Sequence, residues 1–384
     1  MKILVIHTTY RFRGGEDSVV DAESNLMKSN GHEVFTLFFK NPSGIIKSLC
    51  LFLYSMFNVS AYLKTIRVIK KLQPDVIHIH NWFFAASPAV IIAAYRKKIP
   101  VVYTLHNYRL LCPSAILFHD NSLFLDSLRQ NFPWNSIRKK TYRNSFFQTF
   151  WLAFVVWFHK RIKTWNKIDK YVVLTDFAKP IFSNSTFNII EKKLVVKPNF
   201  VSKTTVQTMK RNNSFLYIGR LSEEKGLLLL LDIFKKNEWS LRIGGTGPLV
   251  DDVKACTKYS NILYLGNLDK EGVLRNMQEC TALIFPSLWY EGMPVTIIES
   301  FSQGLPVIAS NLGSMTSMID NGYNGLLFDS GSPVDLQEKL MQWQTASSAE
   351  KETFSKNAYQ TYMEKYTPEN NLNQLLAIYH SVQK

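Results

Sequence analysis

An α/β chain with two parallel-sheet domains is predicted by three observations. Short apolar strands alternate with helical patterns throughout, glycine turns stand at several strand ends, and the rhythm restarts after a polar run from Ser202 to Ser214. At 384 residues the chain exceeds one ordinary core, which agrees with a boundary in that run.

Lys2–Ile6 reads as the first strand, too short for a signal-peptide core. Gly14-Gly15 follows in a strand-to-helix turn, where glycine lets backbone approach a ligand, although a plain turn accounts for the pair equally well. The helical pattern stops at Asn30-Gly31, and Glu33–Leu37 is a second strand. A basic amphipathic helical stretch is expected from about Ser43 to Lys71. Asp75–His80 and Val101–His106 are strands running into histidine. Ligands of open α/β sheets gather at the carboxyl ends of strands, so His80 and His106 stand where chemistry would be. His106 is the better placed, because Asn107-Tyr108-Arg109 continues with polar, cleft-type residues. Phe146–Phe158 is apolar and aromatic, bracketed by Arg138, Lys139, Lys140 and Arg143 before it and Lys160, Arg161 and Lys163 after it. It is too short to span a bilayer and reads either as a buried helix or as one lying in a membrane interface. Tyr171–Thr175 and Leu194–Val196 complete the first half.

The second half opens with the strand Phe215–Ile218, which leads into Gly219-Arg220-Leu221-Ser222-Glu223-Glu224-Lys225-Gly226 and a leucine-rich helix. Arg220 and Lys225 together suit a diphosphate, since Arg forks two oxygens and Lys acts as a point charge. Ser240–Ile243 meets Gly245-Thr246-Gly247, which lacks the spacing of a dinucleotide fingerprint. Ile262–Gly266, Cys280–Phe285 and Pro306–Ala309 continue the strands, and a last helix starts near Pro368. After Phe285 a turn through Glu291-Gly292 reaches a helix opened by Pro294, whose N-terminus can bind an anion. Glu291 and Glu299 flank that point. They read as acceptors for sugar hydroxyls on either side of a diphosphate, or as two solvated glutamates.

Charge is uneven. Residues 1–199 hold 28 Lys and Arg against 11 Asp and Glu, a net of +17, while the whole chain carries +15. The first half is therefore expected to meet an anionic partner. The four cysteines show no C-x-x-C spacing, and no acidic and histidine set has ligand spacing, so no metal is expected. A G-x-x-x-x-G-K-[ST] loop is missing, which speaks against ordinary nucleotide hydrolysis, and no RNA-stacking motif is visible.

Gly219-Arg220-Leu221 with Glu224-Lys225-Gly226, then Gly245-x-Gly247-Pro248, then Glu291-Gly292-x-Pro294 with Glu299, resemble the retaining nucleotide-sugar glycosyltransferases called family 4 or group 1. The first half is similar to the same family through Gly14-Gly15-Glu16, Thr104-Leu105-His106-Asn107 and Lys197-Pro198-Asn199. Its opening from Tyr10 to Asp17 and its His106–Arg109 run look like members acting in bacterial surface polysaccharide assembly. The resemblance implies a GT-B fold: two Rossmann-like domains facing a cleft, residues 1–200 and 201–365, with a helix at about 366–384 crossing back to the first. It implies that Arg220 and Lys225 clamp the diphosphate and that Glu299 binds ribose. Glu291 would face the donor sugar, with Gly247 and the backbone of Gly292, Met293, Pro294 and Val295 also at the donor. Gly15 would approach the phosphates, and His106 the sugar near the reacting carbon. Also implied are a UDP- or GDP-sugar donor, a glycan or polyprenyl diphosphate-linked glycan acceptor, and no cofactor or metal, because cations and a helix dipole would stabilise the leaving group. The expected location is cytoplasmic, against the anionic inner face of the cell membrane. No carboxylate is assignable as a nucleophile. The competing readings are a sugar-nucleotide epimerase or phosphorylase of the same fold and a non-catalytic binder of anionic glycan or RNA.

Overall fold

Ile3–Ile6 and Val101–Leu105 are apolar at nearly every position, as strands covered on both faces must be. The computed structural model describes residues 1–9, 14–41, 52–203 and 211–383, and it buries both runs in one parallel sheet. Tyr10, the expected helix start near Ser43, and residues 204–210 of the polar run lie outside the described residues. The strands of that sheet begin with β1 (Lys2–Thr9), β2 (Glu33–Lys40), β3 (Val76–Asn81) and β4 (Val101–Leu105). A small antiparallel pair, β5 (Phe118–His119) and β6 (Ser122–Leu123), intervenes. The sheet is completed by β7 (Lys170–Val173) and β8 (Leu194–Val196), in the order β2-β1-β3-β4-β7-β8.

The second sheet comprises β9 (Phe215–Ile218), β10 (Leu241–Gly244), β11 (Ile262–Gly266), β12 (Ala282–Phe285), β13 (Val307–Ser310) and β14 (Gly325–Phe328). Its order is β11-β10-β9-β12-β13-β14, all parallel. That is the doubly wound nucleotide-binding arrangement, with its reversal between β9 and β12. In the first sheet the reversal falls between β1 and β3. Contacts divide the chain into one unit of Met1–Ile116, Leu125–Asn199 and Asn371–Lys384, and another of Leu117–Phe124 and Phe200–Asn370.

The last helix, Pro368–Val382, packs Leu375, Ile378 and Tyr379 into the core of the first sheet beside Ile3, Val5, Val20 and Met27. It is also tied by hydrogen bonds, from Asn371 Nδ2 to the Pro198 carbonyl at 2.8 Å and between Tyr379 Oη and His78 Nδ1 at 2.7 Å. His78 Nε2 meets Thr104 Oγ1 at 2.7 Å, so both nitrogens of this buried ring are satisfied.

The expected long helix after Ser43 is not continuous: Val59–Leu72 is a separate helix. Asn58 starts it, accepting the Ala61 N–H through its side chain while its amide donates to the Ala85 carbonyl. The aromatic run forms the helix Phe146–Arg161, capped by Ser145. One face buries Leu152, Ala153, Val155 and His159, which accords with the core reading, whereas Phe146 and Phe147 are 53% and 54% exposed. No helix among the described residues is long and apolar enough to cross a membrane.

Removing the Tyr379 hydroxyl leaves a buried imidazole nitrogen unpaired. Tyr379→Phe is therefore expected to lower unfolding stability by about 1–3 kcal/mol. A urea denaturation midpoint equal to that of the parent would show that the bond contributes nothing.

Candidate functional site

Two loops leave neighbouring strands at the reversal in the second sheet. The loop after β9 carries Arg220 and Lys225, and the loop after β12 carries Ser287, Trp289 and Glu291. The Leu288 N–H donates to the Glu224 carbonyl at 2.9 Å, joining them. Gly226 makes that approach possible: its φ is +71°, and a Cβ there would stand 1.9 Å from the Pro286 carbonyl oxygen. Gly247 serves the same end between β10 and β9, since its Cβ would meet the Leu221 carbonyl oxygen at 2.4 Å. It is a packing glycine within the loop layer.

Three hydrogen-bond donors converge on one oxygen of Glu291. Lys225 Nζ and Trp289 Nε1 each lie 2.6 Å from Oε1, and Ser287 Oγ lies 2.7 Å from it. Glu291 is 7% exposed, so the triple contact offsets the cost of burying a carboxylate. Its Oε2 has no hydrogen bond among the described residues and remains available. The Lys225 ammonium also lies 5.3 Å from the Trp289 ring centre and 5.5 Å from that of Phe285. Arg220 is exposed, and its guanidinium makes no ion pair or hydrogen bond among the described residues. Its carbonyl accepts from Tyr217 Oη at 2.9 Å, which fixes the loop but leaves the side chain to solvent.

Gly292, Met293 and Pro294 complete the loop, and the helix Val295–Ser302 follows with Pro294 at its N-cap. Its first N–H groups have no carbonyl within the helix, and the dipole's positive end lies there. Glu299 lies one turn further along. Burial raises its carboxyl above the ordinary range, with Lys270 acting in the opposite direction.

In the first domain, Gly14 caps the helix Gly15–Ser29 and its N–H donates to Asp17 Oδ2 at 2.9 Å. Asp17 Oδ1 also contacts His7 Nε2 at 2.8 Å. A Cβ added at Gly15 would meet no atom within 4 Å among the described residues beyond its chain neighbours and its own helix backbone, which leaves room there for close approach. His106 directly follows β4 and contacts His80 Nδ1 through its Nε2 at 3.0 Å. Burial lowers its pKa to about 3, reinforced by the His7 and Lys197 charges, so the ring is neutral. Its neighbours differ from expectation. Arg109 lies 4.0 Å from the centre of the Phe83 ring and donates to the Pro113 carbonyl, while Tyr108 stacks on Phe182. They build the loop rather than offering polar groups to a ligand.

Sequence reasoning missed Ser287, Trp289 and the direct Lys225–Glu291 pair. The Ser287-x-Trp289-x-Glu291 spacing was visible, but nothing in it said that side chains would turn back onto one oxygen. Glu23, His78 and His80 also bring ligand-type atoms within 4.8 Å of one another. His78 is already bonded at both nitrogens, and Glu23 holds the buried Lys197 ammonium at 2.5 Å, so this set is a hydrogen-bonded network rather than three free ligands.

Comparison with known proteins places the same regions. The model of Glycosyltransferase Family 4 matches residues 13–204, and that of glycosyl transferases group 1 matches residues 203–361. The chain is 30% identical over 158 residues to the D-rhamnosyltransferase WbpZ of Pseudomonas aeruginosa, covering 40% of this chain and 41% of that protein. It is 25% identical to an uncharacterized 41.2 kDa protein in the cps region of Klebsiella pneumoniae, covering 84% and 85% of the two. Several matches, that to WbpZ among them, span half or less of the relative's length. The crystal structure of Anabaena HepE in complex with UDP superposes with a TM-score of 0.71 at 15% identity, covering 99% of this chain and 100% of that one. The fold is thus GT-B, with two Rossmann-like domains.

Because its raised pKa means that folded Glu299 holds its proton more firmly than the unfolded chain does, this group favours folding below the ordinary carboxyl range. That contribution is lost as pH rises through the shifted value. Glu299→Gln, always neutral, is expected to melt above the parent at about pH 7 and together with it below about pH 4. A variant that melts lower at neutral pH would contradict a burial penalty at this position.

Proposed function

Because the chain belongs to glycosyltransferase family 4, we propose that it is a retaining, metal-independent enzyme moving a sugar from a nucleoside diphosphate to a glycan or polyprenyl diphosphate-linked glycan. The observation that carries this reading is the Lys225–Glu291 pair at the β9–β12 reversal, with Arg220 on the same loop as Lys225 and a helix N-terminus closing the loop of Glu291. Two cations and a dipole's positive end offset the charge that develops on a departing diphosphate, which is the part a metal would otherwise play. Glu299 takes the ribose, and the free Oε2 of Glu291 takes hydroxyls of the donor sugar. Gly15 and His106 keep the phosphate and sugar roles that the family resemblance gives them. The UDP bound by HepE supports a uridine donor, with a GDP-sugar as the alternative. The cps-region protein, and the O-antigen chain mannosyltransferase C of Escherichia coli at 26% identity over 176 residues, support a place in bacterial capsule, O-antigen or exopolysaccharide synthesis.

The activity is tested by following nucleoside diphosphate release from a panel of UDP-, GDP- and ADP-sugars in excess EDTA. One donor is expected to turn over under these conditions. Arg220→Ala and Lys225→Ala should each lose more than tenfold in kcat/KM, since a charge-assisted contact to a buried diphosphate contributes roughly 1.5–3 kcal/mol. Parental rates in both variants would remove the proposed nucleotide site. Activity abolished by EDTA and restored by Mn²⁺ would overturn metal independence.

A lipid-linked acceptor would bring the basic first domain to the cytoplasmic face of the membrane. Phe146, Phe147 and Trp134 are each more than half exposed, and Lys140 and Arg143 just before the helix and Arg161 and Lys163 at its far end are exposed too. Each such cation contributes about 1 kcal/mol at an anionic surface, and inserted aromatics add apolar burial. The protein is expected to float with anionic vesicles at low salt and to stay behind with neutral ones. Indifference to anionic vesicles would rule out this membrane face.

A further inference from the structure

A line of buried groups stands behind His106 and is used by none of the steps above. Lys197 Nζ contacts Glu23 Oε1 at 2.5 Å. Glu23 Oε2 has no hydrogen-bond partner among the described residues, and His80 Nε2 faces it at 3.8 Å. His80 Nδ1 in turn meets His106 Nε2 at 3.0 Å. Lys197, Glu23 and His80 are 0%, 2% and 3% exposed.

Burial holds both His80 and His106 neutral, so their shared hydrogen bond needs an N–H on one ring and a lone pair on the other. Two arrangements are possible. If His80 Nδ1 donated, its Nε2 lone pair would point at the Glu23 carboxylate in a low-dielectric interior. If His80 instead carries its proton on Nε2, that N–H points at the unpartnered oxygen, and its Nδ1 must accept from His106. The second arrangement is favoured electrostatically. His78, whose ring centre lies 4.0 Å from that of His80, does not compete, because Tyr379 and Thr104 occupy both its nitrogens.

We propose that the Lys197–Glu23 pair, acting through His80, fixes His106 as the Nε2–H tautomer, so that His106 Nδ1 presents a lone pair to a hydroxyl of the donor sugar. His80 and Glu23 are thereby positioning residues, in the way that a partner on one imidazole nitrogen sets the chemistry of the other. Nδ1 has no hydrogen bond among the described residues, and His106 is partly exposed. A ring fixed in this way accepts from hydroxyls and cannot donate to a phosphate oxygen through Nδ1. What the lone pair meets rests on the glycosyltransferase reading; the tautomer does not.

The tautomer is read directly from long-range ¹H–¹⁵N correlations of ¹⁵N-histidine-labelled full-length protein at neutral pH, with the His106 signals assigned by their loss in His106→Gln. The expected result is a protonated Nε2 and a bare Nδ1 on both His80 and His106. A protonated Nδ1 on His106 overturns the proposal whether or not the protein transfers sugar. An inactive parent with the expected tautomer instead overturns only the enzymatic reading. Two variants then test the positioning role. His80→Asn keeps an acceptor near the lost Nδ1 and should stay within about threefold of the parental kcat, while His80→Leu should lose about tenfold or more with donor KM little changed. Equal losses in the two variants would assign His80 to packing and overturn its positioning role.

Discussion

The reversal of strand order between β9 and β12 is the constraint on which the candidate site depends. Connections on either side of it run in opposite directions along the sheet, so the loops leaving these two strands face an open crevice. Of the second-domain groups assigned to the nucleotide sugar, Arg220, Lys225 and Glu291 leave one of those strands, and Glu299 lies on the helix that the second loop begins. Gly226 brings the loops into backbone contact, and Lys225 and Glu291 then meet across the join at 2.6 Å. A bound diphosphate would find Lys225 already oriented by Glu291, and Glu291 already held by Ser287 and Trp289. Orientation fixed before binding lowers the ordering cost when the ligand arrives.

The first domain solves a different problem with the same architecture. Its reversal lies between β1 and β3, and there it gathers His7, His80, Glu23 and Lys197 in a nearly dry interior. Burying charges is costly, and breaking such a pair by removing one partner typically costs about 3–5 kcal/mol. The last helix contributes Tyr379 to this polar interior, so the carboxyl end of the chain stabilises the strand that carries His78 and His80. This gives that helix a role beyond covering the sheet.

Much of this was legible in the sequence, because fully buried parallel strands write themselves as apolar runs and their carboxyl-end loops carry glycine. Leu241–Gly244 and Val307–Ser310 are examples. Gly325–Phe328 was missed, although it is no shorter than those two and Asp329-Ser330-Gly331 marks a turn beyond it. The break before Val59 was also missed: Asn58 ends the periodicity through contacts with Ala85 and Ser87, which are distant in sequence. Arg109 looked like a ligand group, yet it stacks on Phe83, a partner 26 residues upstream that no local pattern discloses. The positions of Glu291 and Glu299 could be read, but the donors that turn one oxygen of Glu291 inward could not. Side-chain convergence depends on rotamers and loop geometry, not on spacing.

The central claim is that two carboxylates eight residues apart serve different halves of one ligand: Glu299 the nucleoside and Glu291 the transferred sugar. Titration calorimetry of the free nucleoside diphosphate into Glu299→Gln and Glu291→Gln, beside turnover of the full donor, tests it most directly. The account predicts that Glu299→Gln loses about tenfold or more in nucleoside diphosphate affinity. Glu291→Gln, which keeps an oxygen acceptor toward Lys225, should lose clearly less nucleotide affinity than Glu299→Gln while turning over at least tenfold more slowly. Equal loss of nucleotide affinity in both variants would contradict the division.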